Sequence, residues 1–442
     1  MPNNNKDSIN RLLHLIHQFI EKKIVVLDKF ERKDVKIFHY YNEIVRYWSK
    51  LNYIFRKTFR SLNQVDISND DLARNIYSTY RVIFENSSNN EILKELNLSK
   101  NQELSYLIFF NKLREFSIKI ALKHKQLKEK LSIEEAIPTF VINRLLPVMN
   151  FEFLKKNIQF MNNLTKYDNF FRINDFSDSV VNQRHINEIK EELKTYNISI
   201  KQDKEIPELY KIPREKKSLV LRSKSYILGK LNFQDKASAA VIRVLSPEPY
   251  DYIFDMCAAP GMKTSLISKY SKNQAKIVAC DFNIDRLLIS KNLFLKSNIL
   301  NLYLINADSI NFPIRFENYF DKILLDAPCT GSGTFLTNPE LKWRQNRSFL
   351  YQNITIQEKL LKSALRLLKP NGILVYSTCS LYAEEGELQI LKFLDLLEAL
   401  ELPKWFSPSY KINDRIIHGT GRLFPSIHHT QGFFIGKFKK KE

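Results

Sequence analysis

Two cysteines with polar neighbours are the side chains of this 442-residue sequence best suited to covalent chemistry. Cys329 lies in the segment DAPCTGSG, which begins at Asp326, and Cys379 lies in the segment STCS; each follows a run typical of a buried strand. The carboxyl ends of neighbouring parallel strands meet at one edge of a sheet, so we expect both thiols to lie there beside Asp326. A thiolate is a soft nucleophile whose reactivity depends on its pKa and surroundings. The two segments therefore predict nucleophilic catalysis at this edge.

A thiolate of this kind can activate an otherwise unreactive pyrimidine carbon. Addition of the sulfur to carbon 6 makes carbon 5 electron-rich enough to accept a methyl group. The adduct must then lose the proton from carbon 5 and expel the thiol, so a second general base or relay group beside the nucleophile is needed. The spacing of the two segments leaves open which thiol attacks. Cys257 and Cys280 lack such polar neighbours, and we expect them to pack in the core.

A third segment, DMCAAPGMKT from Asp255 to Thr264, suits a small ligand. It follows a predicted strand and opens a helix, and its small residues let free backbone amides approach a carboxylate or hydroxyls. It is neither a P-loop nor a GxGxxG motif, so phosphate binding is not favoured. The residues expected to line the ligand are Cys257, Ala258, Ala259, Pro260, Gly261, Met262 and Lys263.

Two further acidic residues end predicted strands at the same edge. Asp281 is placed to accept two ribose hydroxyls, as acidic residues do in dinucleotide sites, and Asp308 is placed to accept a hydrogen bond from an adenine amine. Taken singly, either residue is better explained as a helix cap. Together with the small-residue loop, they predict an adenosine ligand that does not require a pyrophosphate.

These segments resemble the RNA cytosine-5 methyltransferases, which use S-adenosylmethionine. The resemblance is carried by CAAPGMKT (257–264), DAPCTGSG (326–333), YSTCS (376–380) and the Gly-Phe-Phe run at 432–434, with FRIN (171–174) and FQDKAS (233–238) upstream. The match runs in the correct order from about residue 132 to residue 440. Met262, Gly386 and Ser426 replace residues that are common at their positions, but none of them removes a proposed catalytic group.

The resemblance implies a role for each site residue. The loop from Cys257 to Lys263 would cradle S-adenosylmethionine, while Asp281 would hold its ribose and Asp308 its adenine end. Asp326 would lie near the methionine moiety and the target base. Cys379 would be the nucleophile and Cys329 would assist release; DNA cytosine-5 methyltransferases attack with the Pro-Cys thiol instead, and the presence of both motifs favours the RNA family.

The elements that must position these residues follow an α/β pattern. Beyond Gly229 the sequence predicts a doubly wound open sheet, which the resemblance identifies as a Rossmann-like methyltransferase sheet over residues 231–442. Predicted strands are Tyr252–Met256, Lys276–Asp281, Leu302–Asn306, Lys322–Asp326, Gly372–Ser377 and Gly432–Phe438. Predicted helices are Met262–Tyr270, Ile284–Ser297, Thr355–Leu368 and Glu385–Leu397.

The first 228 residues contain no glycine, and their apolar residues recur at helical spacing over residues 1–130. This all-α bundle resembles, more weakly, the NusB-like RNA-binding domain that precedes the catalytic part in bacterial small-subunit rRNA methyltransferases. A scaffolding or protein-docking domain is the alternative. Residues 131–230 predict a small α/β RNA-binding module, with a helix at 140–148, alternating short runs at 170–173 and 219–221, and a second helix at 187–196.

A net charge of +20 suits a polyanionic partner such as RNA, although abundant Lys, Asn and Ile also suit an AT-rich genome. We expect structured RNA as substrate, rRNA first and tRNA next, and a cytoplasmic monomer without membrane or metal. Lys342, Trp343 and Arg344, with Arg347, are predicted to clamp phosphate and stack a base, or to form an exposed basic helix start. His428 and His429 are expected at the surface or on RNA. A non-catalytic RNA-binding or ribosome-assembly factor is the rival reading.

Overall fold

The computed structural model describes residues 3–23, 25, 27–59, 67–174, 179–313 and 317–442. These residues belong to two compact units. The first unit comprises Met1–Leu146 together with Thr337–Asn346, and the second comprises Pro147–Leu336 and Arg347–Glu442. Among the described residues, no helix is long and apolar enough to cross a bilayer.

The first unit is built from helices. They are α1 (Asn3–Lys22), α2 (Lys29–Lys33), α3 (Val35–Arg46), α4 (Trp48–Phe59), α5 (Asn69–Phe84), α6 (Asn89–Leu96), α7 (Lys100–Glu115), α8 (Ile118–Ala121), α9 (Leu127–Glu134) and α10 (Thr139–Leu145). Apolar residues at helical spacing, such as Ile16, Ile44, Leu51 and Ile76, meet in one core. The predicted helical N-terminal region is therefore confirmed. Its helices continue past residue 130, and the division into three domains stays a prediction.

The second unit begins with a small antiparallel sheet. Its elements are α11 (Phe151–Asn162), β1 (Asn169–Ile173), α12 (Ser179–Thr195), β2 (Lys201–Gln202), β3 (Leu209–Ile212), α13 (Lys217–Val220), α14 (Lys224–Ile227) and β4 (Leu231–Phe233). The strand order is β2-β3-β1-β4. The predicted run at 170–173 lies in β1, whereas the run at 219–221 overlaps the end of α13 and is helical.

A larger sheet follows in the same unit. Its elements are α15 (Lys236–Leu245), β5 (Tyr252–Asp255), α16 (Met262–Tyr270), β6 (Lys276–Asp281), α17 (Ile284–Lys296), β7 (Leu302–Asn306), β8 (Phe320–Asp326), α18 (Arg347–Leu367), β9 (Leu368–Thr378), α19 (Glu387–Ile390), β10 (Leu397–Ala399), β11 (Ser407–Pro408), β12 (Thr420–Leu423), α20 (Pro425–His428) and β13 (Phe433–Lys440). The strand order is β11-β12-β13-β9-β8-β5-β6-β7, with β10 paired to β13. The run from β9 to β7 is parallel, and β13 is antiparallel to β9.

Alternate side chains of the parallel strands pack on opposite faces, as the pleat requires. Phe254 and Leu325 meet a core that includes Leu361 of α18. Ile253 and Leu324 face the other way, into a core with α15. Helices therefore cover both faces, and the predicted doubly wound α/β sheet is confirmed.

The continuous helix predicted at Glu385–Leu397 is confirmed only in part. A four-residue helix, α19, is followed by a 3₁₀ helix at Leu391–Leu396 and then by β10. Leu397 pairs with Lys440 of β13, so the chain must leave the helical conformation to join the sheet. The helix predicted from Thr355 begins earlier, at Arg347.

Candidate active site

The candidate site lies at the carboxyl ends of β5, β6, β8 and β9, and the predicted Asp308 follows the neighbouring β7. Asp255, Asp281 and Asp326 each end one of these strands, and Cys379 follows the last residue of β9. β5 has β6 on one side and β8 on the other, so the sheet order reverses here. Open α/β sheets bind ligands at this kind of crevice.

Pairing of β8 with β9 brings the two cysteine segments together. Asp326 is in register with Ser377, and the Gly333 amide donates to the Cys379 carbonyl over 3.0 Å. As a result, Cys329 Sγ and Cys379 Sγ lie 3.3 Å apart. Both thiols are half-buried, so a ligand entering this edge can still reach them.

A hydrogen bond connects the two thiols. A hydrogen bond to Cys379, followed by burial, raises the pKa of the Cys329 thiol well above its ordinary value. Cys329 therefore stays neutral at neutral pH and has an S–H to donate. An S–H at this distance stabilises negative charge on the neighbouring sulfur, so the pair can hold one thiol and one thiolate.

An ion pair lies beside the thiols. Lys263 Nζ is 2.6 Å from Asp326 Oδ2, and Ser377 Oγ donates to Asp326 Oδ1 over 2.6 Å. Burial acts to lower the pKa of Lys263, but the charge of Asp326 and the hydrogen bond to it raise the pKa above its ordinary value. The ammonium group therefore stays charged and holds the Asp326 carboxylate in a fixed orientation.

The small-residue loop is attached to β6 through Asp281. Ala259 N donates to Asp281 Oδ2 over 3.0 Å, and Asn283 N donates to Oδ1 over 2.9 Å. Gly261 is the N-cap residue directly before α16 and has φ +92°, and a Cβ there would lie 2.8 Å from the Phe294 ring. The loop needs glycine at this position for both its backbone conformation and its packing.

Asp308 forms the cap that its position alone suggests. Its Oδ1 accepts from Ile310 N over 2.9 Å at the start of a short 3₁₀ helix. The residue is half-buried, and its Oδ2 has only a long bond of 3.4 Å from Asn311 Nδ2. A ligand amine can therefore still compete for that oxygen.

Sequence reasoning missed Asp255 as a site residue. Thr264 Oγ1 donates to Asp255 Oδ2 over 2.7 Å, while Oδ1 is buried with no hydrogen-bond donor among the residues that the structure describes. Burial raises the pKa of Asp255 to about 7. Its position at the end of a strand, which singled out Asp281 and Asp326, was the available signal.

These residues fit S-adenosylmethionine. Asp255 and Asp281 carry acceptor oxygens at the loop, and both carboxylates act electrostatically on the Cys257 thiol together with Asp326. Three acidic side chains at one edge, with Lys263 paired to Asp326 alone, favour a ligand that brings positive charge, such as a sulfonium and an ammonium, together with ribose hydroxyls. In the described part of the chain, no group of three or more His, Cys, Asp and Glu side chains could hold a metal ion.

The two remaining cysteines pack. Cys280 is fully buried, and its Sγ is 3.3 Å from the Ala307 carbonyl oxygen. Burial, followed by the surrounding carboxylates, raises the pKa of Cys257 well above its ordinary value. Neither thiol is therefore primed for attack.

The prediction that Lys342 and Trp343 clamp RNA is wrong. Lys342 Nζ donates to the carbonyls of Arg46 and Ala136, and burial lowers its pKa well below the ordinary value. Trp343 Nε1 donates to the Val45 carbonyl over 2.7 Å, and its ring packs against the helical core. Both side chains hold the first unit together.

The two adjacent histidines separate as expected for neighbours in the chain. His428 is half-buried, with Nδ1 bonded to Phe424 N and Nε2 3.2 Å from the Trp405 carbonyl oxygen. His429 is exposed and lies edge-on to the Phe160 ring. The surface position expected for both residues therefore holds for His429 and is wrong for His428.

Comparison with known proteins places this site in a family. The family model described as 16S rRNA methyltransferase RsmB/F matches residues 242–439. The tRNA (cytosine(49)-C(5))-methyltransferase of Pyrococcus abyssi is 32% identical over 228 residues, which are 49% of this chain and 72% of that protein. The chain belongs to the RNA cytosine-5 methyltransferase family.

Two further matches show how far the likeness extends. A probable ribosomal RNA small subunit methyltransferase B of Synechocystis is 35% identical over 216 residues, 47% of this chain and 47% of that protein. The chain therefore spans about half the length of that curated relative. The crystal structure of PH0851 has the same fold, with a TM-score of 0.78, 24% identity and coverage of 98% of this chain and 99% of its own. The NusB-like nature of the N-terminal helices is not confirmed and stays a prediction.

Proposed function

We propose that the protein transfers a methyl group from S-adenosylmethionine to carbon 5 of a cytosine in structured RNA. The observation that carries the proposal is the contact between Cys329 and Cys379 beside the Lys263–Asp326 ion pair. Two thiols at one sheet edge suit a reaction that must both form and break a carbon–sulfur bond. Family membership supports the same reaction.

In the proposed reaction, Cys379 attacks carbon 6 of the cytosine as a thiolate. Asp326, held by Lys263 and Ser377, polarises the ring from its fixed position. After carbon 5 gains its methyl group, its proton passes to solvent, the C5–H electron pair restores the C5–C6 double bond, and the carbon 6–sulfur bond breaks so that Cys379 leaves as a thiolate. The neutral Cys329 thiol stabilises the departing Cys379 thiolate by donating its S–H, which is how it assists release.

The cofactor, when bound, supplies the methyl group as an electrophile. We propose that the loop from Cys257 to Lys263 holds it. Asp281 would bind the ribose and Asp308 the adenine end, while Asp326 would face the methionine portion. Asp255, whose Oδ1 lacks a donor among the described residues, offers a further acceptor to this group.

Ribosomal RNA is the favoured substrate and transfer RNA the second. The Synechocystis relative is named as a probable ribosomal RNA enzyme, and the Pyrococcus abyssi relative as a transfer RNA enzyme. A net charge of +20 supports binding of either RNA. Residues 1–130 and 131–230 would hold the RNA while the target cytosine is turned out toward residues 231–442. We propose that the protein acts as a cytoplasmic monomer.

Bisulfite sequencing of RNA tests this function in cells. RNA from cells with the gene should contain one cytosine that resists conversion, and that cytosine should convert when the gene is deleted. Unchanged rRNA and tRNA maps would contradict the proposal. Cofactor binding by the purified protein without any methyl incorporation would instead support a non-catalytic RNA-binding or assembly factor.

A further inference from the structure

A buried carboxylate lies behind the two thiols. Glu385 is 0% exposed and follows Cys379 by six residues. Its Oε1 accepts from Thr330 N over 2.9 Å and from Gln357 Nε2 over 3.0 Å, and its Oε2 accepts from Thr330 Oγ1. A side chain from the Cys379 segment therefore holds the residue next to Cys329.

The backbone of the same residue holds the end of β9. Tyr376 Oη and Thr378 Oγ1 both donate to the Glu385 carbonyl, over 2.9 and 3.2 Å. Glu385 thus bonds to the strand that leads into Cys379 through its main chain and to the Cys329 turn through its side chain. Glu385 therefore connects the segment of Cys379 to the turn of Cys329.

Hydroxyl groups extend these contacts between the two segments. Ser380 Oγ is 3.0 Å from Ser332 Oγ and 3.4 Å from Thr330 Oγ1, and Leu381 N donates to Ser332 Oγ over 2.8 Å. The residues directly after each cysteine are therefore connected through buried polar atoms. Buried networks of this kind fix one arrangement when their members are satisfied.

The hydrogen bonds to the Glu385 carboxylate come from neutral donors. Burial raises the pKa of Glu385, although these bonds act in the opposite direction. Keeping a carboxyl group buried without a cation is costly, and such groups concentrate at functional sites. The mechanism proposed above gives Glu385 no part in bond making.

The two cysteines differ in how firmly the sheet holds them. Cys379 directly follows β9, which is paired with β8 on one side and β13 on the other. Cys329 lies on the irregular turn after β8, where Gln357 Nε2 also donates to the Pro328 carbonyl over 2.8 Å. Loss of the Glu385 side chain should therefore displace Cys329 more than Cys379.

We propose that Glu385 is a positioning residue that holds the Cys329 thiol against Cys379 and thereby supports release of the methylated base. The inference rests on the proposed function. Attack depends on Cys379, whereas release depends on contact between both thiols. Without Glu385, the protein–RNA adduct should therefore form and then persist.

Glu385→Leu removes both side-chain acceptor oxygens at nearly the same volume and leaves the main-chain carbonyl in place. Glu385→Gln keeps the acceptor at Oε1 and changes only the bond between Oε2 and Thr330 Oγ1. We expect Glu385→Leu to lower kcat at least tenfold and to raise the ratio of denaturation-resistant RNA adduct to turnover at least tenfold. Its KM for RNA and its Kd for S-adenosylhomocysteine should stay within about twofold of wild type. Glu385→Gln should restore kcat to within about fivefold of wild type.

Asp203→Asn is the matched control, because Asp203 is also a buried carboxylate but bonds to Lys236 and to nearby amides. It should leave the adduct ratio unchanged. Thr330→Val removes only the hydroxyl partner and should change the ratio in the same direction as Glu385→Leu, by a smaller factor. A Glu385→Leu protein with the kcat and adduct ratio of the control would overturn the proposal.

A second readout does not depend on methylation. Diamide accepts two electrons and two protons from two neighbouring thiols and leaves a disulfide. The rate at which the Cys329–Cys379 disulfide forms therefore reports how often the two thiols are in contact. Peptide mass mapping should show this disulfide forming at least tenfold more slowly in Glu385→Leu than in wild type or Asp203→Asn. Equal rates would contradict positioning by Glu385. Wild-type protein that forms the disulfide but methylates no RNA would contradict the proposed function alone.

Discussion

At the residue scale, the contact between the two thiols is the feature on which the proposed chemistry depends. The sequence could predict that Cys329 and Cys379 follow neighbouring strands, because buried runs and polar turns are local signals. It could not predict the 3.3 Å contact or the raised pKa of Cys329, since both depend on partners about 50 residues away. The same limit hid Asp255 and Glu385, whose importance appears only through burial and bonding.

Replacement of the two cysteines should separate attack from release. Cys379→Ala should abolish methyl transfer, because no thiol remains in position to attack carbon 6. Cys329→Ala should slow turnover by about 10²–10⁴-fold, the usual contribution of proton-transfer assistance, while a covalent RNA adduct accumulates. Denaturing gels with labelled RNA measure both effects. A stable adduct on Cys379→Ala instead would exchange the two roles.

The buried Asp255 should make stability fall as pH rises. Its pKa is raised from 3.8 to about 7, chiefly by burial, so between these values the folded protein binds a proton that the unfolded chain does not. The stabilising contribution is present at low pH and is lost as pH rises toward 7. Asp255→Asn removes this titration. The melting temperature of the variant minus that of wild type should be at least about 3 °C higher at pH 8 than at pH 5.

The comparison between wild type and Asp255→Asn cancels the titration of groups elsewhere. Neighbouring charges on Asp326 and Lys263 also act on the pKa of Asp255, in opposite directions, and both are present in each protein. If the melting temperatures of the two proteins differ by the same amount at every pH from 5 to 8, Asp255 is ionised throughout that range and the prediction is contradicted.

At the element scale, several elements were predicted at both ends. Lys276–Asp281 and Leu302–Asn306 agree with β6 and β7 at both ends, and Met262–Tyr270 agrees with α16. The continuous helix predicted at Glu385–Leu397 is instead the short α19 and a 3₁₀ helix, and the chain joins β13 from Leu397 onward. A local apolar pattern cannot reveal a strand partner more than 40 residues away.

Substitution of Gly333 tests whether methyl transfer depends on the close approach of the Cys329 turn to Gly432, just before β13. A Cβ at Gly333 would lie 2.1 Å from the Gly432 carbonyl oxygen, and the Gly432 amide donates to the Gly333 carbonyl. Gly333→Ala must therefore push the turn away, at a cost of about 1–3 kcal/mol. We expect at least a tenfold loss of methyl transfer and a lower melting temperature.

Gly421→Ala is the control for this substitution. The nearest neighbours of a Cβ there lie at 3.1 Å or more and begin with the end of the Leu402 side chain, which can move. It should change methyl transfer less than about twofold. Equal activities of the two alanine variants would show that the turn tolerates displacement.

At the scale of the whole molecule, charge and helicity were predictable but the composition of the two units was not. Residues 337–346 belong to the first unit, where Lys342 reaches a carbonyl 296 positions away in the chain. Basic and aromatic residues after a catalytic motif suggested RNA contact, yet their hydrogen bonds and packing are internal. Only long-range contacts could have distinguished a role in RNA binding from packing inside the first unit.

Binding of RNA should depend steeply on salt. A net charge of +20 favours contacts to RNA phosphates, and each such contact releases counterions on binding. We expect the Kd for rRNA fragments to rise at least about tenfold between 50 and 200 mM salt, measured by filter binding. An affinity that does not change with salt would contradict an electrostatic RNA surface.

The most direct test of the central claim is the identity of the nucleoside that the purified protein modifies. Wild-type protein is incubated with RNA and labelled S-adenosylmethionine, and the RNA is digested to nucleosides for mass spectrometry. We predict labelled 5-methylcytidine with wild type and none with Cys379→Ala. A different labelled nucleoside, or 5-methylcytidine formed equally by Cys379→Ala, would contradict methylation of cytosine carbon 5 through Cys379.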